Sequence, residues 1–356
     1  MCAANSFRRS PANSTIRRCR NCGPRPKLNG RPNQNPDPGA HHSNSLSLEV
    51  TPMSSLPPIE STVISGQQPG PHLLILGGVH GDEYEPMAAI RKLITMIKPA
   101  EFSGKVTLVP VLNQPAYERC QRCGPDDLDL ARTFPGAPDG SITEQIAHQA
   151  TQLIQTADYL IDLHTGGVIS DLAPFSGYCL HSDPAILKTQ RTMARAFGIP
   201  VVWGTTATLE GRSLSAARDA NVPAIYAEWG GGSQCNATAV SGYATGCLQV
   251  MSALGMRDQP IPDQPIQYEI EDNRDQSGHL QLHNNAPVSG FFEPAIQLMD
   301  TVQAGDALGT ICSPLGDKIT SIKASQTGVV LGIRTLPYVK QNEWLVVILE
   351  TDHSVS

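Results

Sequence analysis

Residues 76–86 read LGGVHGDEYEP and place a histidine, His80, three residues before a carboxylate, Glu83. The stretch follows a short apolar run, HLLIL at 72–76, and precedes a helical pattern, so it forms the turn between a buried strand and a helix. Imidazole and carboxylate are ligands that suit Zn²⁺, and at this spacing both can face one ion. The stretch therefore predicts part of a metal site.

A third ligand is predicted one strand further on. His164 ends the apolar run YLIDL at 159–163 and is followed by two glycines, which let a ligand approach closely. Because ligands bind at the carboxyl ends of parallel strands, His164 is expected to join His80 and Glu83. Two histidines and one carboxylate leave a fourth position for water, which is the arrangement of a catalytic zinc site. We therefore expect one zinc ion per chain.

The surrounding pattern alternates short apolar runs with segments of helical period. The runs predict strands at 72–76, 105–112, 159–163, 201–203 and 224–228, and the helical segments predict helices at 84–97, 143–155, 186–197, 213–220 and 238–254. This alternation is typical of an α/β fold with a mostly parallel, doubly wound sheet.

Beyond Gly255 the sequence pattern changes to short apolar segments separated by glycines, which predicts a smaller all-β domain. Its turns resemble those of a biotinyl/lipoyl-like barrel, but no Met-Lys-Met carrier motif accompanies them. We expect a structural cap over the site rather than a carrier of a swinging arm.

The chain has 356 residues, enough for a large core, and three regions are predicted. Residues 1–52 form an extension expected to be disordered, 53–257 the catalytic α/β domain and 258–356 the β-rich domain. Residues 1–47 carry eight basic residues and one acid, Asp37. The extension is interpreted as a tail, as a targeting segment or as a part not needed for function.

Charge and composition exclude several classes of partner. The total charge is −7, so the chain beyond residue 47 carries −14, which argues against nucleic acid as the main partner. No apolar run of about 18 residues exists, so no membrane span is expected. Nine cysteines, an odd number in a large chain, favour a reducing compartment and a cytoplasmic location. A small-molecule substrate is expected, and a homo-oligomer is left open.

A catalytic carboxylate is predicted at Glu228, which ends the last strand of the series beside a glycine run at 230–232. A carboxylate at that edge can act as a general base; otherwise it is a solvated or helix-capping residue. Asp162, two residues before His164, is expected to lie on the other face of its strand and to be a structural or supporting residue.

Arginines lie between the two ligand segments, in NQPAYERCQR at 113–122 and in DLDLARTFPG at 127–136. Arginine can bind a substrate carboxylate through two hydrogen bonds or stabilise an oxyanion, although a solvated surface loop is the competing interpretation.

The ordered motifs GGVHGDE, NQPAY, DLxRTFPG, DLHTGG and AEWGGG together resemble the succinylglutamate desuccinylase/aspartoacylase family, relatives of the zinc carboxypeptidases. The resemblance covers roughly residues 70–350 and implies a sheet of zinc carboxypeptidase type. It is nearest in layout to the N-acetyl-diaminobutyrate deacetylase branch.

The resemblance implies specific roles for the motif residues. His80, Glu83 and His164 match the zinc ligands, and Glu228 matches the general acid/base. Arg132 matches the residue that binds the substrate carboxylate, and Arg122, or alternatively Arg119, the arginine that stabilises the oxyanion. Asn113 and Arg119 are expected to contact substrate. Ala131 departs from the family, which has Asn before the second arginine, so the anchoring group of the substrate is open.

The resemblance implies a zinc-dependent amidohydrolase that removes the acyl group from a small N-acylated amino acid. Two alternatives are a zinc carboxypeptidase that acts on peptides and a catalytically silent binding protein with the same fold.

Overall fold

The structure is a computed structural model that describes residues 58–280 and 283–351. The predicted extension at 1–52 lies outside these residues. Within the described ranges, no helix is both long and apolar enough to cross a membrane.

Fifteen strands and six α-helices make up the described chain. The strands are Thr62–Ser65 (β1), Gln68–Leu76 (β2), Ser103–Val109 (β3), Tyr159–His164 (β4), Ser170–Cys179 (β5), Val201–Thr205 (β6), Ala224–Gly231 (β7), Tyr268–Glu271 (β8), Gly290–Pro294 (β9), Thr301–Val302 (β10), Ala307–Cys312 (β11), Lys318–Lys323 (β12), Gly328–Arg334 (β13), Tyr338–Val339 (β14) and Val346–Glu350 (β15). The helices are Tyr84–Met96 (α1), Gln114–Glu118 (α2), Ile142–Gln155 (α3), Pro184–Ala196 (α4), Ser213–Asp219 (α5) and Ala237–Ala253 (α6).

A sheet of eleven strands organises the molecule. Its main path runs β1-β3-β2-β4-β7-β5-β13-β10, with β6 and β8 beyond β5 and with β15 on β13. The pairs β2·β3, β2·β4, β4·β7, β5·β6 and β6·β8 are parallel. The predicted mostly parallel α/β sheet is therefore confirmed.

The central strands are buried on both faces, which explains their unbroken apolar sequence. On β2, Leu73 and Ile75 pack in the core beneath α1, α4 and α6. Leu74 and Leu76 pack in a second core with residues of α3 and α5. Successive side chains of a strand point to opposite faces, so two helical layers cover one sheet.

The end of the chain forms β structure, as predicted. A second, antiparallel sheet has the order β12-β11-β9-β14. Four other strands beyond residue 257 join the large sheet instead. The strand β8 pairs with β6, and β13 pairs antiparallel with β5 and also with β10 and β15. The strand β5 itself was not predicted, and it links the parallel strands to the C-terminal region.

Candidate active site

Three neighbouring parallel strands bring the predicted site residues together at their carboxyl ends. His80 and Glu83 lie in the turn after β2, His164 ends β4, and Glu228 lies opposite His164 on β7. One ligand atom from each of His80, Glu83 and His164 lies within 4.8 Å of the others. All three are buried, so this triad is consistent with a single metal-ion site.

Each histidine of the triad is held at both ring nitrogens. Nδ1 of His80 lies 2.6 Å from Glu83 Oε1, and Nδ1 of His164 lies 3.1 Å from Glu83 Oε2. The opposite nitrogens face carboxylates: His80 Nε2 is 3.1 Å from Asp129 Oδ1, and His164 Nε2 is 3.0 Å from Asp162 Oδ2. A carboxylate behind a histidine fixes its tautomer and ring orientation, which is typical of metal ligands.

The pKa values of the triad reflect competing effects of burial and charge. Burial disfavours ionisation of Glu83, yet His80 and His164 hold the pKa of this carboxyl well below its usual value. Burial would lower the pKa of His164, but Asp162 and Glu83 raise it well above its usual value. The protein thus concentrates negative charge behind and between two imidazoles, which also favours a bound cation.

Glu228 is half-buried beside the triad, and none of the described residues hydrogen-bonds to its Oε2 atom. Burial, and then the charge of Glu83, raises the pKa of Glu228 to about 8, while His164, His80 and Arg122 act in the opposite direction. A carboxyl group with a raised pKa and an uncommitted oxygen can accept and return a proton near neutral pH.

Of the two arginines considered for the oxyanion, Arg122 lies against the triad. Its Nε and Nη2 atoms each donate to Asp129 Oδ2 at 3.1 Å, and Nη1 lies 3.6 Å from Glu83 Oε1. Arg119 is exposed and donates to Gln121 Oε1 instead. Arg119 therefore lies at the mouth of the cavity, away from the ligands.

The triad and Glu228 line a cavity of about 790 Å³. Arg132 and Ala131 line it too, and Arg132 Nη1 donates to the Ala131 carbonyl at 2.7 Å. The apolar residues that line the cavity include Val168, Ile169, Leu172, Leu280 and Trp344.

Two expectations about individual residues need correction. Asn113 is fully buried, caps α2 through the Ala116 amide and donates to the Val79 carbonyl, so its amide is used within the fold and does not line the cavity. Asp162 does not face away from His164. Residues two apart on a strand share a face, and Asp162 contacts the His164 ring.

Two residues of the site were not assigned from the sequence. Asp129 orients both His80 and Arg122, although its place in the DLxRTFPG motif was a signal for it. Arg212 lines the cavity, where no carboxylate of the described residues lies within 4.0 Å of its guanidinium. Its Nη1 atom donates only to the Gly278 carbonyl at 3.4 Å. An arginine without an acidic partner in a cavity can bind a ligand carboxylate.

Known proteins share this architecture. The profile of the succinylglutamate desuccinylase/aspartoacylase catalytic domain matches residues 69–254. The N-alpha-acetyl-L-2,4-diaminobutyric acid deacetylase of Halomonas elongata is 29% identical over 293 residues, which are 80% of this chain and 84% of that protein.

Solved structures agree with this match. A succinylglutamate desuccinylase from a Silicibacter species superposes with a TM-score of 0.74 at 27% identity, over 81% of this chain and 87% of the other. The product-bound ectoine utilization protein EutE (DoeB) of Ruegeria pomeroyi gives a TM-score of 0.73 at 26% identity, over 82% and 88% of the two chains. The profile covers more than half of the chain, and with the His-Glu-His triad it shows that this protein belongs to the succinylglutamate desuccinylase/aspartoacylase family of metal-dependent N-acyl amino acid deacylases.

Proposed function

We propose that the protein is a zinc-dependent deacylase that hydrolyses the amide bond of a small N-acylated amino acid. The observation that carries this proposal is the placement of Glu228, with an uncommitted carboxylate oxygen, beside the buried triad on the adjacent strand.

The donor set fits zinc. Two imidazole nitrogens and one carboxylate are the ligands of many catalytic zinc sites, and the set leaves a position open. When bound, zinc supplies Lewis-acid activation of water and of the amide carbonyl. Behind the ligands, Asp129 and Asp162 keep the Nδ1 lone pairs of both histidines directed at the site.

Glu228 is the proposed general base and acid. Its carboxylate takes a proton from the attacking water and afterwards delivers it to the nitrogen of the leaving amine. Burial raises the pKa of Glu228 to about 8, which favours both proton transfers by one side chain near neutral pH.

Arg122 is the proposed donor to the oxyanion that forms when water adds to the amide carbonyl. Asp129 holds two nitrogens of its guanidinium, and Nη1 is the nitrogen nearest Glu83. The arginine is thereby oriented before substrate binds, which is what electrostatic stabilisation requires.

Arg212, together with Arg132, is proposed to bind the carboxylate of the amino acid. The two arginines come from abutting segments, since the Phe134 amide donates to the Gly211 carbonyl at 3.1 Å. Gly211 itself lies against the Arg132 backbone. The small side chain of Ala131 adds no polar group here, so the arginines carry the recognition of the anion.

The C-terminal β-rich region is proposed to cap the cavity and to favour small substrates over peptides. Gly278, Leu280 and Trp344, all beyond residue 257, contribute to its wall. A wall at this place leaves less room for a long chain, which argues for a deacylase rather than for the competing carboxypeptidase.

The proposal is tested by amine release from N-acetyl, N-succinyl and N-formyl amino acids with zinc added. N-acetyl-L-2,4-diaminobutyrate enters the panel because the Halomonas elongata relative is named for that substrate. Hydrolysis of one acyl series supports the proposal and defines the acyl group. Cleavage of peptides in preference to every N-acyl amino acid would establish the carboxypeptidase, and inactivity on all substrates would favour the silent binding protein.

Replacing Gly81 with alanine is expected to abolish zinc binding, because this residue stands between two ligands in a tightly packed turn. A Cβ atom there would lie 2.0 Å from the carbonyl carbon of Ala116. The control is Gly255→Ala, where a Cβ meets nothing within 4 Å and only the positive φ of 69° is strained, at a cost of about 1–2 kcal/mol. Zinc stoichiometry and thermal unfolding check both variants, and stoichiometric, tight zinc binding by Gly81→Ala would contradict the expectation.

A further inference from the structure

Ser213, the first residue of α5, is a buried serine whose hydroxyl makes one specific contact. It is 3% exposed, and its Oγ atom donates to Asp162 Oδ2. The same carboxylate oxygen lies 3.0 Å from His164 Nε2. A chain of hydrogen bonds thus connects α5 to a proposed metal ligand on β4.

The hydroxyl matters because Asp162 has few other partners. The carboxylate is 1% exposed, and its Oδ1 atom has no hydrogen-bond partner. A buried carboxylate is costly unless donors satisfy it. Within the described residues, the donors that reach Asp162 are therefore the Ser213 hydroxyl and the His164 ring.

The position of Asp162 decides which nitrogen of His164 faces the site. Because the carboxylate accepts from Nε2–H, the lone pair stays on Nδ1, which points at Glu83. A tilt of the carboxylate would turn the imidazole ring about its bond to the strand. The Ser213 hydroxyl, which donates to the same oxygen, restrains that tilt.

Ser213 is also the immediate neighbour of Arg212, which lines the cavity. The backbone here is fixed, since the Arg212 amide donates to Ser215 Oγ at 2.9 Å and this hydroxyl donates back to the Arg212 carbonyl at 2.7 Å. Both residues line the cavity, and the Ser213 hydroxyl in addition supports His164 through Asp162.

We propose that Ser213 is a positioning residue that sets the orientation of His164 through Asp162 and ties this metal ligand to the segment that carries Arg212. The inference rests on the proposed function for its metal and its substrate. It goes beyond that function by assigning to α5 a role in metal affinity.

The test is the affinity for Zn²⁺, measured on the full chain by competition with a chromogenic chelator. Ser213→Ala is expected to weaken zinc binding about 10-fold, the lower end of the usual effect of residues that support metal ligands. The matched control is Ser176→Ala, which removes another buried hydroxyl, one that donates to the Ala194 carbonyl at 3.0 Å away from the site. The control is expected to bind zinc like the wild type.

A double-mutant cycle identifies the route. If Ser213 acts through Asp162, the losses in Asp162→Asn and Ser213→Ala are not additive. If the alanine variant fails to fold, Ser213→Cys replaces it in the test, because a thiol fills similar space but is a weak donor. The zinc affinity of Ser213→Cys is expected to be lower than that of the wild type, by less than the 10-fold loss expected for Ser213→Ala. Wild-type affinity in Ser213→Ala, additive losses in the cycle, or an equal loss in Ser176→Ala would each overturn the inference.

The test of Ser213 and the test of the proposed function have distinguishable outcomes. Weaker zinc binding by Ser213→Ala in a protein that hydrolyses no N-acyl amino acid would retain the positioning role and reject the deacylase. Deacylase activity of the wild type together with unchanged zinc affinity in Ser213→Ala would support the deacylase and reject the positioning role of Ser213.

Discussion

Glu228→Gln is expected to lower kcat by about 10²- to 10⁴-fold, the usual contribution of a general acid–base residue, while the protein still binds one zinc ion. Glutamine matches glutamate in shape but cannot accept the proton of the attacking water. No described residue hydrogen-bonds to Glu228 Oε2, so the change breaks no contact at that atom, and the fold should be retained. Steady-state kinetics and zinc analysis of the same preparation check the expectation.

The control for this change is Glu210→Gln, which removes a carboxylate that is 70% exposed and paired with Arg218. Its kinetics should equal those of the wild type. Undiminished turnover in Glu228→Gln would remove Glu228 from the mechanism, and loss of zinc together with activity would assign it to metal binding instead.

Arg212→Met is expected to reduce kcat/KM for N-acyl amino acids by roughly 10- to 150-fold, as for the loss of hydrogen bonds to a charged group. Methionine retains much of the length of the side chain but not its charge. For a matching amide without the amino-acid carboxylate, the wild type and the variant should differ little. The comparison of the two substrates therefore measures recognition of the carboxylate, independently of the chemical step.

Arg119→Met provides the matched control, because Arg119 is exposed at the mouth of the cavity and donates to Gln121. It should change kcat/KM much less than Arg212→Met. A larger loss in Arg119→Met than in Arg212→Met would show that the anion is bound elsewhere. The same conclusion would follow if Arg212→Met lost as much activity on the substrate without a carboxylate as on the N-acyl amino acid.

The parts of the fold and site that were predicted from sequence depend on local signals. The apolar runs of β2, β4 and β7 lead into His80, His164 and Glu228, so strand direction alone places these residues at one edge of the sheet. The same logic could not find β5, because Pro174 and Gly177 interrupt its pattern. A register shift between β5 and β7 falls between Leu172 and Phe175, where that proline lies.

What sequence patterns could not provide are contacts between distant segments. Arg212 is 129 residues from Glu83, and nothing in its neighbourhood marks it as different from other arginines. Asn113 shows the converse, because it belongs to a recognisable motif but its amide is consumed by α2 and Val79. Whether a polar side chain serves the fold or a ligand is decided by the packing around it.

The pairing of β13 with β5 limits how this protein can be recombined with its relatives. Gly332 lies opposite Leu172, and a Cβ at Gly332 would come within 2.6 Å of the Leu172 side chain. A C-terminal region grafted from another protein would have to reproduce that register to keep the sheet continuous beside β5 and β7, and a larger residue at position 332 would require the Leu172 side chain to move. The two parts of the chain are therefore constrained to change together at this seam, because they share one continuous sheet.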